Sequence, residues 1–368
     1  MIATMKIRSF RLGMLRIPLK TPFKTALRTV EQVEDVVFAL ETDDGRAGYG
    51  SAPATAAITG DTHGSIVDAL HGYIGPRLVG GDIANLNQLV ATVQGALAGN
   101  TSAKAAAEIA LHDLWGQLHG APLYRLLGGG DPRLDTDITI SVDNIDKMVA
   151  DSLDAIARGF TSLKIKVGKD MVTDIERMRA VHDAVAGRAL LRLDANQGWT
   201  AREAIHAIRT LEDAGVCMEL VEQPVKARDI DGLREVTASV RTPVMADESA
   251  FGPRETIDLI RNRAADIINI KLMKAGGISN ALKMADIAAV HGIECMMGCM
   301  LESPIGVTAA AHVAAARSAT ITKIDLDGPS LCTFNPVHGT TLFDGAAIEL
   351  GDAPGLGIVK IDDLEWFR

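Results

Sequence analysis

The chain has 368 residues, 47% of them hydrophobic and 23% charged, enough to bury a full core in about two domains and unlike a disordered tail or a disulfide-stapled miniature. Its formal net charge of −10 leaves no electrostatic footprint for nucleic acid or an anionic membrane. Four scattered cysteines (Cys217, Cys295, Cys299, Cys332) fit neither a disulfide framework nor a paired C-x-x-C zinc site, and residues 1–19, broken by Lys6, Arg8, Arg11 and Arg16, lack the apolar stretch of a signal peptide or membrane span, so a soluble cytoplasmic protein is expected.

Residues 3–20 and 34–42 are β-branched and roughly alternating, and Asp43-Asp44-Gly45 follows as a turn, which is a strand, turn and strand signal. Helical patterns come next near 62–75 and 86–98, then over 102–118, where an Ala- and Leu-rich run stops near Gly120 and Pro122. These elements predict a small α+β module over 1–128.

From about residue 136 a short apolar run alternates with a helical pattern. Eight such runs fall at 137–142, 162–167, 189–195, 217–223, 243–249, 267–273, 294–300 and 322–327, and polar landmarks near their ends recur every 24 to 28 residues, the size of one βα unit. An open doubly wound sheet also fits the alternation, but it should carry a G-x-G-x-x-G phosphate turn and none is present. A closed parallel barrel over 129–328 is the expected α/β architecture. The segment 329–368 is loop-like, with a strand signal at 347–350, and is expected to pack back on the N-terminal module.

A parallel barrel strand is buried on both faces, so a charge within it is costly unless paired or bound to a metal. Here the charges gather at strand ends: Lys164 and Lys166 on the second run, Asp194 on the third, Glu222 on the fourth, Asp247 on the fifth and Lys271 on the sixth. Such ends form the active-site rim of a barrel. A lone strand-end carboxylate is commonly a helix cap or an ion-pair partner, but three on successive strands repel strongly, and an all-oxygen set suits Mg²⁺ or Mn²⁺. An ammonium near a metal and a second ammonium has its pKa lowered toward the range of a general base. Lysines flanking a metal from two sides suit abstraction of a proton alpha to a carboxylate. The same lysines could instead sit on a solvated edge, and Lys274, past the strand and before Gly276-Gly277, is expected to face water. His112 and His119 read as surface or packing residues, and Cys295, Cys299, Met296, Met297 and Met300 as core.

The motifs KIK at 164–166, LDAN at 193–196, VEQP at 221–224, ADES at 246–249 and IKLMKAGG at 270–277, with the helix AAAEIALHDLWGQLHGAPLYRLLGG at 105–129, resemble the enolase superfamily in its mandelate racemase and muconate-lactonizing branch. The resemblance covers essentially the whole chain. It implies an α+β capping domain before a (β/α)₇β barrel of the TIM type, Mg²⁺ (or Mn²⁺ as substitute) on Asp194, Glu222 and Asp247, and Lys166 and Lys271 as the acid/base pair. Lys164 would polarise the substrate carboxylate and lower the pKa of Lys166.

Within that branch the chain is most similar to dipeptide epimerases of the L-Ala-D/L-Glu type, which transfer a proton at the Cα of the C-terminal residue through an enediolate. Asp325-Leu326-Asp327 matches the pair that takes the dipeptide ammonium there, and Arg28, in the loop 21–29, would pair with the side-chain carboxylate of a C-terminal Glu. Thr139 and the loop 55–62 are weaker pocket candidates. The resemblance also favours a symmetric homo-oligomer. A muconate cycloisomerase, an o-succinylbenzoate synthase or an N-acylamino acid racemase would share the lysines and metal ligands, so only Asp325, Asp327 and Arg28 speak against those readings. A non-catalytic binding protein on the same barrel would have no use for two opposed lysines.

Overall fold

The computed structural model describes residues 4–24 and 29–367. Its N-terminal part is an antiparallel sheet of β1 (Ile7–Lys24), β2 (Thr29–Thr42) and β3 (Ala47–Pro53). β1 and β2 pair along nearly their whole length, from Ile7↔Thr42 to Lys24↔Thr29, so β2 begins five residues before its alternation becomes readable. Helix α1 (Thr101–His119) packs across β3. The approach is closer than any side chain allows: a Cβ on Gly50 would stand 1.9 Å from Ala106 O, and one on Gly48 2.5 Å from Ala110 O. Those two glycines, with the alanines of α1, let helix and sheet meet backbone to backbone. The helical pattern at 62–75 resolves into an α-helix His63–Asp68 followed by a π-helical turn Ala69–Ile74.

Eight parallel strands follow: β4 (Ile138–Ile140), β5 (Ser162–Lys166), β6 (Leu190–Asp194), β7 (Leu220–Glu222), β8 (Val244–Ala246), β9 (Ile267–Lys271), β10 (Glu294–Gly298) and β11 (Ile321–Asp325). They hydrogen-bond in chain order, and each of the first seven is followed by a helix of ten residues or more, from Ile145–Ala157 to Pro304–Ala316. This is the (β/α)₇β pattern. The seam between β11 and β4 is closed by Asp137 N donating to Ile324 O at 3.2 Å, and by two side chains: Leu326 N donates to Thr136 Oγ1 and Thr139 N to Asp327 Oδ2, both at 2.7 Å. Inside the barrel, Arg192 on β6 reaches Asp137 Oδ2 at 2.7 Å and Ile324 O at 2.9 Å, which ties the seam from within.

The C-terminal segment returns to the cap, where a last strand, β12 (Glu365–Trp366), pairs with β1 at Gly13 and Met14. The strand signal near 347 forms Ala347–Glu349, but it pairs with Arg133–Asp135 at the base of the barrel. A buried carboxylate stitches cap to rim: Asp35 on β2 accepts from Ser303 N at 2.9 Å, beside a 3.0 Å contact between the Ser51 and Ser303 hydroxyls. Among the described residues, no helix is long and apolar enough to cross a membrane.

Candidate active site

Parallel register sets the level of each charge. Lys166 stands opposite Asp194 and Asp194 opposite Glu222, while Lys271 stands opposite Gly298 and Gly298 opposite Asp325. All are therefore at the C-terminal ends, where the active-site rim of such barrels lies. In a ring of eight, the second and sixth strands face one another. β5, with Lys164 and Lys166, is thus across from β9, with Lys271, and the carboxylates of β6, β7 and the β8 end lie between them on one side. Asp325 and Asp327 at β11 and Thr139 on β4 lie on the other. Gly298 leaves room for the site's side chains, since a Cβ there would stand 2.6 Å from Asn269 Oδ1 and 2.9 Å from Lys271 Cε.

The side chains form a dense ionic cluster. Lys164, 2% exposed, places Nζ at 2.7 Å from Glu222 Oε2, 2.8 Å from Asp325 Oδ2 and 3.2 Å from Asp194 Oδ2. Lys166 Nζ lies 2.5 Å from Asp194 Oδ2 and Lys271 Nζ 2.9 Å from Asp247 Oδ2. Asn269 donates to Glu222 Oε1 at 2.8 Å and Asn196 N to Asp194 Oδ1 at 2.8 Å. Gln223, in the left-handed region at φ 35°, accepts from Asp247 N and Ser249 N and donates to Ser249 Oγ and Val225 O. All four of its hydrogen-bonding positions are used, so it clamps the end of β7 to the end of β8.

Burial opposes the charge on Lys164 and Lys271, yet the carboxylates overcome it: Asp325, Glu222 and Asp194 hold Lys164 well above the ordinary lysine range, and Asp247 does the same for Lys271. The acids outnumber the amines in this cluster, and only a further cation sharing those carboxylates would release the lysines downward. Burial and then Asp194 push Glu222 up, whereas Lys271 and Lys274 hold Asp247 far down against its own burial.

The residues fit a divalent ion. Glu222 Oε2 and Asp247 Oδ1 are buried and accept no hydrogen bond, although a lysine Nζ stands 2.7 Å and 2.5 Å away. Those contacts are charge pairs, and a set of buried carboxylate oxygens of this kind suits an oxygen-liganded metal. Among the described residues, the three carboxylates with oxygens all within 4.8 Å of one another are Asp137, Asp325 and Asp327. That trio holds protein donors, namely Arg192 on Asp137, Lys164 on Asp325 and Thr139 N on Asp327, while Asp137 Oδ1 is buried without a partner.

One cavity collects Thr139, Lys164, Lys166, Asp247, Lys271, Asp325 and Asp327. Its remaining wall comes from Phe23 of the segment 21–29, Ala57 and Ile58 of the loop 55–62, Asn196, and Leu301 and Leu331, which the sequence does not single out. Cys299 and Met300 line the cavity too, though both are nearly buried. Lys274 is a correction. It is 1% exposed, with Nζ 2.5 Å from Asp247 Oδ1 and 3.0 Å from Asn269 O, because the one-turn helix Leu272–Ala275 folds it inward rather than toward water. Arg28 lies outside the described residues.

The N-terminal domain model of the mandelate racemase / muconate lactonizing enzyme family matches residues 10–128, and the enolase C-terminal domain-like model matches 147–363. The chain belongs to this family. As a member it is 52% identical to an L-Ala-D/L-Glu epimerase of Clostridium acetobutylicum, over 98% of this chain and 100% of that one. A substrate-liganded L-Ala-D/L-Glu epimerase from Bacillus subtilis superposes on it with a TM-score of 0.95 at 46% identity, covering 97% of this chain and 99% of that one. A dipeptide epimerase from Enterococcus faecalis, complexed with Mg and the dipeptide L-Leu-L-Tyr, gives a TM-score of 0.92 at 42% identity, covering 96% and 99%.

Proposed function

We propose that this chain is an isomerase, a dipeptide epimerase of the L-Ala-D/L-Glu type that moves one proton at the Cα of the C-terminal residue. The observation that carries the mechanism is the pair of lysines on opposite strands, Lys166 on β5 and Lys271 on β9, both lining one cavity. An amine on each face of a planar carbon is what inversion by proton exchange needs. One removes the proton and the other returns it from the opposite side. Asp194, Glu222 and Asp247 would hold Mg²⁺, with Mn²⁺ as a substitute. When bound there, the ion supplies positive charge against the charge that builds on the substrate carboxylate as the proton leaves.

Lys164 adds a fixed ammonium to the same carboxylate from the floor of the site, already desolvated and oriented by three acids. Asp325 and Asp327 take the ammonium of the N-terminal residue. Thr139 N occupies one oxygen of Asp327 and fixes the direction of the other. Arg28 pairs with the side-chain carboxylate of the C-terminal Glu, and the cap residues Phe23, Ala57 and Ile58 shed water from the reacting centre. Cytoplasmic residence and a homo-oligomeric state belong to the same reading, supported by four unpaired cysteines and by the family resemblance.

The test is incubation of L-Ala-L-Glu with the protein and Mg²⁺ in D₂O. Deuterium is expected at the Glu Cα, with L-Ala-D-Glu accumulating beside it. A well-folded protein that leaves that position protonated refutes the substrate assignment.

A further inference from the structure

The rim beside the carboxylates holds hydrogen-bond acceptors that nothing in the chain fills. Both oxygens of Glu248 are buried without a hydrogen-bond partner, and so is Asn196 Oδ1. The Asn196 amide cannot simply be turned round, since its Nδ2 donates to Asp194 Oδ2 at 3.3 Å. Asn196 comes two residues after Asp194 at the end of β6, and Glu248 comes one after Asp247 at the end of β8, so the two flank β7 with Glu222. The lysines at this rim, Lys271 and Lys274, are engaged with Asp247.

A buried carboxylate without a donor is costly and calls for one. Lysines can donate but are already paired. A divalent ion of the Mg²⁺ type keeps several water ligands, and a water that gives its lone pair to a cation has two O–H groups left that need acceptors. Unfilled acceptors on both sides of Glu222 match that requirement.

We propose that Glu248, with Asn196, accepts hydrogen bonds from the water ligands of the divalent ion and thereby positions them. Glu248 is a positioning residue rather than a fourth ligand. The assignment rests on the metal reading above and extends it to residues on which that reading is silent.

The decisive measurement is calorimetric titration of the full chain with Mg²⁺ alone, without substrate, for wild type and Glu248→Gln. The variant keeps the side-chain volume but exchanges one acceptor for a donor. Its Mg²⁺ dissociation constant should rise about tenfold, while the melting temperature of the metal-free protein stays the same or rises, because an uncompensated buried charge is gone. With Mn²⁺ as the probe, water-proton relaxation should report faster exchange of the bound waters. A dissociation constant within twofold of wild type overturns the proposal. Complete loss of binding also overturns it, in favour of direct ligation. If Glu248→Gln folds poorly, Glu248→Asp, which withdraws the carboxylate by one methylene, is titrated with the same expectations. A wild type that takes up no Mg²⁺ overturns the metal reading itself, and this shows before any variant is compared.

Discussion

At the scale of single residues, the two lysines divide one reaction between them, and that division is measurable. Lys166→Ala or Lys271→Ala removes one of the two proton carriers, so epimerisation should fall by about 10³-fold or more in either variant. The remaining lysine still faces one side of the Cα. Each variant should therefore exchange the Cα proton of one epimer with D₂O and leave the other untouched, with the preference reversed between the two variants. Mass spectrometry of L-Ala-L-Glu and L-Ala-D-Glu, incubated separately, checks this, and equal exchange of both epimers by either variant contradicts the two-faced arrangement. Residue identity at strand ends was legible because a charge on a doubly buried strand needs a reason. Lys274 was not legible, since its environment depends on the direction taken by a one-turn helix and on Asp247 from another strand, neither of which leaves a local pattern. Glu248 was passed over for a similar reason: it reads as the neighbour of a ligand, and only its unfilled oxygens distinguish it.

At the scale of elements, strand runs were recognisable because parallel strands buried on both faces are apolar throughout, while the pairing partners of short segments were not. Ala347–Glu349 illustrates this, since its sequence suits any sheet edge and the structure gives it to Arg133–Asp135. The packing of α1 shows a second kind of information that only tertiary structure holds. Asp113 on α1 accepts from Tyr49 N of β3 at 3.1 Å and from Leu356 N of the C-terminal segment at 2.9 Å, and burial pushes its carboxyl up to about 6. Because the folded pKa lies above the unfolded value of about 3.9, the ionised form is disfavoured by folding. Stability from this group is therefore greatest below pH 4 and declines until the folded pKa is passed. The stability of wild type relative to Asp113→Asn should accordingly fall by about 2–3 kcal/mol between pH 4 and 7, then level off. Urea unfolding of both proteins across that range is the check, and a flat difference would mean that Asp113 stays ionised at no cost.

At the scale of the whole molecule, cap and barrel are interdependent because the cavity is complete only when Phe23, Ala57 and Ile58 of the cap lie over the strand ends. The parallel barrel and the α+β module before it were readable from periodicity, and the (β/α)₇β order came with the family resemblance. The joint between them was not, since the bond from Ser303 N to Asp35 spans 268 positions of sequence. The same assembly governs how metal uptake affects stability. The carboxylates of Asp194, Glu222 and Asp247 come from three strands, and in the unfolded chain they are separated by stretches of 27 and 24 residues, so only the folded barrel presents them together. An ion bound by the native state alone stabilises it by RT ln(1 + [ion]/Kd), about 2.7 kcal/mol at a hundredfold excess over Kd. Mg²⁺ should therefore raise the melting temperature by several degrees, in proportion to the logarithm of its concentration, and a chelator should reverse the shift. Asp194→Asn should abolish the Mg²⁺ dependence. The same change at Asp151, a half-buried carboxylate outside the site that pairs with Lys147, should leave it intact. A melting temperature indifferent to Mg²⁺ in the wild type would mean that the acid cluster is neutralised by its lysines alone, and the catalytic scheme would then lose its electrostatic support.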